Sequence, residues 1–175
     1  MKSLIQVNTV YQLFIMINMR LHKEPEGIVD IALSDHTPVL KEYIPGLKES
    51  GLFRNVYYME SLKFNNRFWK TKNNNKAALY NHAKKSIAQT LEESKIFYPQ
   101  YDYLYIANLD AYTKFLHKVF PDLKIIQFED GAATCSTDWK TISSGWDYIK
   151  GFNSIYDAVE GLYLYSPQFF LIISS

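Results

Sequence analysis

The sequence predicts an α/β fold, a Rossmann-like parallel sheet with helices on both faces. Three observations carry that expectation. Short runs that are predominantly apolar and lack a polar alternation, such as IVDIALS at 28–34 and LKIIQF at 123–128, read as strands buried on both sides. Between them lie stretches with apolar residues at helical spacing, opened by Ser, Thr, Asn or Asp and closed by Gly or Pro. The alternation of the two kinds implies parallel pairing through crossover helices.

The elements follow in order. SLIQVN (3–8) is the first strand. Asn8 or Thr9 caps a helix over 10–22, whose apolar residues Val10, Leu13, Phe14, Ile17 and Leu21 define its face. Pro25 and Gly27 punctuate, and 28–34 is the second strand. Ser34 and Asp35 are expected to cap a helical stretch to Ser50, stopped by Gly51, and FRNVYYM (53–59) is the third strand. Residues 63–76 carry five basic side chains, several asparagines and no acid, which is the composition of a loop. A helix over 77–96 places Leu79, Ala83, Ile87 and Leu91 in register. YDYLYIA (101–107) is a strand, Leu109 or Asp110 opens a helix to Val119, Pro121 ends it, and 123–128 is the next strand. A helix near 154–160 and a strand over 161–166 complete the reading.

At 175 residues the chain has the size of one domain, and it can bury a core without staples. A formal net charge of +1 gives no global attraction to nucleic acid, so no nucleic-acid partner is expected. The single cysteine, Cys135, excludes an internal disulfide and fits a reducing, cytoplasmic compartment. Asn8, Thr9, Gln12 and Asn18 interrupt the apolar opening, which therefore reads as neither a signal peptide nor a spanning helix. The end, LYLYSPQFFLIISS, is nearly uncharged. The expected organisation is a domain over 1–166 and an apolar tail over 167–175 that starts a link to a further domain or favours self-association.

In open parallel sheets ligands bind outside the carboxyl ends of the strands. The polar residues expected there are Asn8 and Thr9, Asp35 and His36, Asn108 and Asp110, and the triplet Glu129-Asp130-Gly131. Helix capping alone accounts for several of them. The triplet stands apart: two acids follow an apolar strand, and the small residues Ala132, Ala133 and Thr134 leave room beside them. Mutual repulsion raises the pKa of one of two adjacent carboxyls, a useful property in a general base. No GxGxxG or GxxxxGK[ST] occurs, which disfavours dinucleotide and P-loop readings. The four histidines are scattered, so no metal and no cofactor is expected. The basic stretch 63–76 is a solvated tether or a lure for anions and the membrane surface, with Phe68 and Trp69 as contacts.

With FEDG (128–131) after its strand, and VNTVYQLFIMINM (7–19) meeting at an Asn-Thr turn, the chain resembles the bacterial sialyltransferases, especially glycosyltransferase family 52. The resemblance spans nearly all of the chain and corresponds to the N-terminal half of a GT-B enzyme. It implies transfer of sialic acid from CMP-sialic acid to an acceptor glycan in cell-surface polysaccharide or lipooligosaccharide synthesis, with Asp130 as general base and Glu129 in support. It further implies that the CMP-sugar binds a C-terminal domain through a His-Pro motif. This sequence contains no His-Pro dipeptide. The alternative expectation is a non-catalytic remnant or binding domain lacking the donor site. A phosphorylated receiver domain is disfavoured, since it needs an acidic pair after the first strand, where VNT stands.

Overall fold

Lys2–Val7 (β1), Ile28–Ser34 (β2), Val56–Met59 (β3), Tyr103–Ile106 (β4), Lys124–Phe128 (β5) and Val159–Tyr163 (β6) pair as one sheet in a computed structural model of the chain. The structure describes residues 1–23, 25–70, 76–108, 110–128 and 159–163. The strand order is β3-β2-β1-β4-β5-β6, and every pair is parallel. This is the doubly wound order, in which the winding reverses between β1 and β4. The α/β architecture expected from the strand–helix alternation is therefore present.

Among the described residues, five α-helices lie between the strands: Val10–Leu21 (α1), Ile44–Ser50 (α2), Ser61–Lys70 (α3), Lys76–Ser94 (α4) and Ala111–Val119 (α5). Each face of the sheet carries its own core. Ile5, Val7, Ile31 and Leu33 pack with Leu13, Ile15 and Met16 of α1 and Leu47 of α2. Leu4, Ala32, Leu104 and Ile125 pack with Phe64 of α3, Ile87 of α4, and Tyr112, Phe115 and Leu116 of α5. Burial on both faces is why these strands lack a polar alternation.

Four expectations are corrected. The stretch 63–76 is not a loop throughout: α3 runs to Lys70, α4 begins at Lys76, and 71–75 lie outside the described residues. Phe64 is fully buried and meets Tyr112 edge-on at 5.5 Å between ring centres, so this residue of the segment belongs to the core. Ser34 and Asp35 do not cap the stretch after β2. That stretch opens as a 3-10 turn over Pro38–Tyr43 behind Thr37 and becomes α2, which Gly51 closes at φ +66°. On α1 the buried apolar residues are Leu13, Ile15 and Met16, whereas Val10, Phe14 and Leu21 are exposed. Residues 159–160 belong to β6 rather than to a helix, and the remainder of 154–158, like the tail 167–175, lies outside the described residues. Among the described residues, no helix is long and apolar enough to cross a membrane.

Candidate functional site

The carboxyl edge at the reversal between β1 and β4 gathers most of the expected polar residues. β2 and β4 flank β1, and the turns that follow them meet: His36 Nε2 lies 3.7 Å from Asp110 Oδ2. That separation is within ion-pair reach between the two side chains. Both side chains are partly accessible, at 27% and 17%.

Beneath them, the turn after β1 is held by its own side chains. Thr9 caps α1 by accepting from Gln12 N at 3.1 Å, and Gln12 Oε1 accepts from Asn8 N at 2.7 Å. This is a capping-box variant in which the glutamine reaches one residue past the cap. Thr37 Oγ1 donates to Asn8 O at 2.8 Å, tying the turn after β2 to the end of β1. Asn8 is 6% exposed, and its Oδ1 finds no donor among the described residues. A buried carboxamide oxygen left in this way is unusual, so Asn8 is the residue of the edge best suited to accept from a ligand. The same self-capping occupies backbone donors that a dinucleotide fold would turn to a diphosphate.

Asp110 has two tasks. Its Oδ1 caps α5, accepting from Thr113 N and Thr113 Oγ1, both at 2.9 Å, while Oδ2 faces His36. One helical turn on, Lys114 is buried. Burial pushes its ammonium pKa down to about 8, and the Asp110 carboxylate offsets part of that fall. Asn108 follows β4 and is exposed.

Asp35 is placed differently from the sequence expectation. Its two oxygens accept from Leu62 N at 2.7 Å and Lys63 N at 3.0 Å, so it caps α3 across 27 residues of chain. Both oxygens are thereby engaged, and helix capping is its evident role. Ser34 Oγ accepts from His36 N at 3.2 Å and shapes the same turn.

Glu129, Asp130 and Gly131 lie outside the described residues. β5, which precedes them, ends at Phe128 on the same edge as β1, β2 and β4. Gln127, next to its end, is buried and donates to Ala107 O at 2.8 Å, linking β5 to the end of β4.

Three contributors are absent from the sequence-level set: Gln12, Thr37 and Lys114. The Thr9-x-x-Gln12 spacing is a readable capping signature, whereas a lysine one helical turn after Asp110 reads as solvated surface. Two other features lie elsewhere. A recess of about 210 Å³ between Tyr98, Pro99, Phe120 and Pro121 opens near the starts of β4 and β5, at the opposite edge. Asp30, buried in the amino-terminal half of β2, is satisfied by Arg54, Asn55 and Tyr101. Among the described residues no group of three or more His, Cys, Asp or Glu is arranged to hold a metal ion.

Comparisons with protein-family models, with curated protein sequences and with solved structures return no match.

Proposed function

We propose that the carboxyl edge of this sheet is the acceptor side of a sialyltransferase-like glycosyltransfer site, in the N-terminal half of a GT-B arrangement. The observation that carries the reading is the convergence of four strand ends. β1, β2 and β4 bring Asn8, His36 and Asp110 to one edge, and β5 ends there with Glu129-Asp130-Gly131 next in the chain. In this reading Asp130 takes the proton of an acceptor sugar hydroxyl as its oxygen attacks the anomeric carbon of CMP-sialic acid. The bond from that carbon to the phosphate oxygen breaks, and CMP leaves. Base catalysis of this kind supplies roughly 10²- to 10⁴-fold in rate. Asn8 and the His36–Asp110 pair orient the acceptor glycan, Thr9 and Asn108 border it, and the donor belongs to a second domain. The reaction serves cell-surface polysaccharide or lipooligosaccharide synthesis at the cytoplasmic face of the membrane.

The test is transfer from CMP-sialic acid to a galactoside by the longest available gene product. Asp130→Asn is expected to lower kcat by at least 100-fold, in the range of lost base catalysis. Full activity in that variant overturns the assignment. A second reading is favoured by the His36–Asp110 contact, namely that His36 is the proton acceptor. His36→Asn abolishing transfer while Asp130→Asn retains it would select that reading. A chain that neither binds CMP nor supports transfer in any longer form is the binding remnant.

A further inference from the structure

From three buried polar atoms we infer that the crevice at the carboxyl edge continues inward as a subsite for one neutral sugar ring, held by Gln6, Asn8 and Ser61. Gln6 Oε1, Asn8 Oδ1 and Ser61 Oγ are shut from solvent and have no hydrogen-bond partner among the described residues. The three residues are 2%, 6% and 0% exposed. Buried side-chain oxygens are nearly always paired, so three at one end of one face point to a bonding group that the chain itself does not supply.

Their placement follows from the register. Gln6 pairs with Ala32, and both Ala32 and Leu4, two residues before Gln6, belong to the core beneath α3, α4 and α5. Strand alternation therefore turns Gln6 to that face. Continuing the register sets Asn8 beside Ser34, which pairs with Met59 of the same core. Ser61 opens α3 two residues after Met59. It stands three residues before Phe64, on the helix row that Phe64 presents to Tyr112 of α5. β1 and β3 are two strand spacings apart, about 10 Å, which side chains reaching in from both sides narrow to one ring. Gln127 on β5 shows the ordinary solution on this face, since its amide donates to Ala107 O at 2.8 Å.

The atoms select the ligand. Two are carboxamide oxygens, which only accept, and the third is a hydroxyl, which donates and accepts. A phosphate or carboxylate brings acceptors alone and leaves both carboxamide oxygens unsatisfied. A cation finds no counter-charge on these three neutral groups. Neighbouring sugar hydroxyls supply the missing donors and accept in turn from the amide nitrogens. The backbone of Asn8 is pinned by Gln12 and Thr37, and a carboxamide rotates broadly about its last bond, so the oxygen turns to a ligand with the chain fixed. The subsite rests on the acceptor-glycan part of the proposed function, and neither Asp130 nor the CMP-sugar takes part in it.

The test measures stability and donor-free binding together. Gln6→Met and Ser61→Ala each remove a group that has no bond to lose, so the urea midpoint is expected to hold or rise. The ¹⁵N-labelled full chain is titrated with methyl β-galactoside into the millimolar range. The side-chain amide signals of Gln6 and Asn8, identified by their loss in Gln6→Met and Asn8→Leu, are expected to shift and saturate. Affinity should fall about 10-fold in Gln6→Met and in Ser61→Ala, the worth of one hydrogen bond. If either variant fails to fold, the other and the wild-type amide shifts still decide. A lowered midpoint in both variants overturns the inference, because the groups are then bonded within the protein. Absence of a saturable shift, wild-type affinity in the variants, or equal shifts with inorganic phosphate overturns it as well. Glycoside binding without transfer by any longer gene product sinks the transferase reading and leaves the subsite standing.

Discussion

Removing the Asp30 carboxylate tests a polar cluster built around a buried charge. The side chain is fully buried. It accepts from Arg54 Nε at 2.9 Å and Nη2 at 2.5 Å, from Asn55 N at 3.0 Å, and from Tyr101 OH at 2.5 Å. In Asp30→Ala, the Tyr101 hydroxyl and the Asn55 amide lose their acceptor inside the protein. Each stranded donor costs roughly 1–2 kcal/mol, so the pair costs on the order of 3 kcal/mol. Arg54 adds little, because its side chain is 37% exposed and regains water. With a urea slope of about 2 kcal/mol per molar, the unfolding midpoint falls by about 1.5 M. The pH dependence supplies a second reading. Burial pushes the Asp30 carboxyl up, but the bonds from Arg54, Tyr101 and Asn55 outweigh it and hold the group below its usual 3.8. A folded-state pKa below the unfolded one means that the stabilisation is complete above about pH 4 and is lost as pH falls through the folded value. The gap between wild type and Asp30→Ala should therefore be constant from pH 7 to about 5 and narrow below about 4. A midpoint shift under about 0.3 M at pH 7 would refute the reasoning, since it lies below the cost of a single stranded donor.

Gly27 has φ +86°, and a Cβ there would stand 2.6 Å from Met1 O, so Gly27→Ala should cost at least about 2 kcal/mol in a thermal melt. Gly51 has a similar φ of +66° but open surroundings, so Gly51→Ala should cost only about 1 kcal/mol. Asp35→Ala strands the first turn of α3 and should cost about 1–2 kcal/mol, with faster amide exchange at Leu62 and Lys63 as the local readout. Lys114 keeps its proton to about pH 10.4 when unfolded but loses it at about 8 when folded. The unfolded chain then holds more protons between those values, so stability rises with pH across that window. Lys114→Met should abolish the rise and raise stability at pH 7 by on the order of 1–2 kcal/mol, measured by urea melts.

Much of the fold was legible because its signals are local. Apolar runs near Gly or Pro marked β2, β4 and β5, an apolar run ending at Asn8 marked β1, and a threonine before a helical repeat marked the start of α1. Asn8, His36 and Asp110 were legible as residues of strand ends, because the carboxyl edge of a parallel sheet follows from strand direction alone. Their meeting was not: His36 and Asp110 are 74 residues apart and touch only because β2 and β4 both lie beside β1. Asp35 reads locally as a cap for the residues after it, yet the crossover from β3 brings the start of α3 against it instead.

The composition of 63–76 suggested a loop because it counts charges and asparagines and cannot weigh one buried phenylalanine. Phe64 is placed by Tyr112 and Phe115, which come from α5. The opening helix gives the same lesson in another form. The sequence by itself determined that α1 is a helix capped by Thr9, since helical spacing and capping are properties of neighbouring residues. Only the tertiary structure decided which row meets the sheet, selecting Leu13, Ile15 and Met16 and leaving Val10, Phe14 and Leu21 outward. The physical reason is that helical periodicity is blind to rotation about the helix axis, whereas packing against β1 and β2 fixes that rotation.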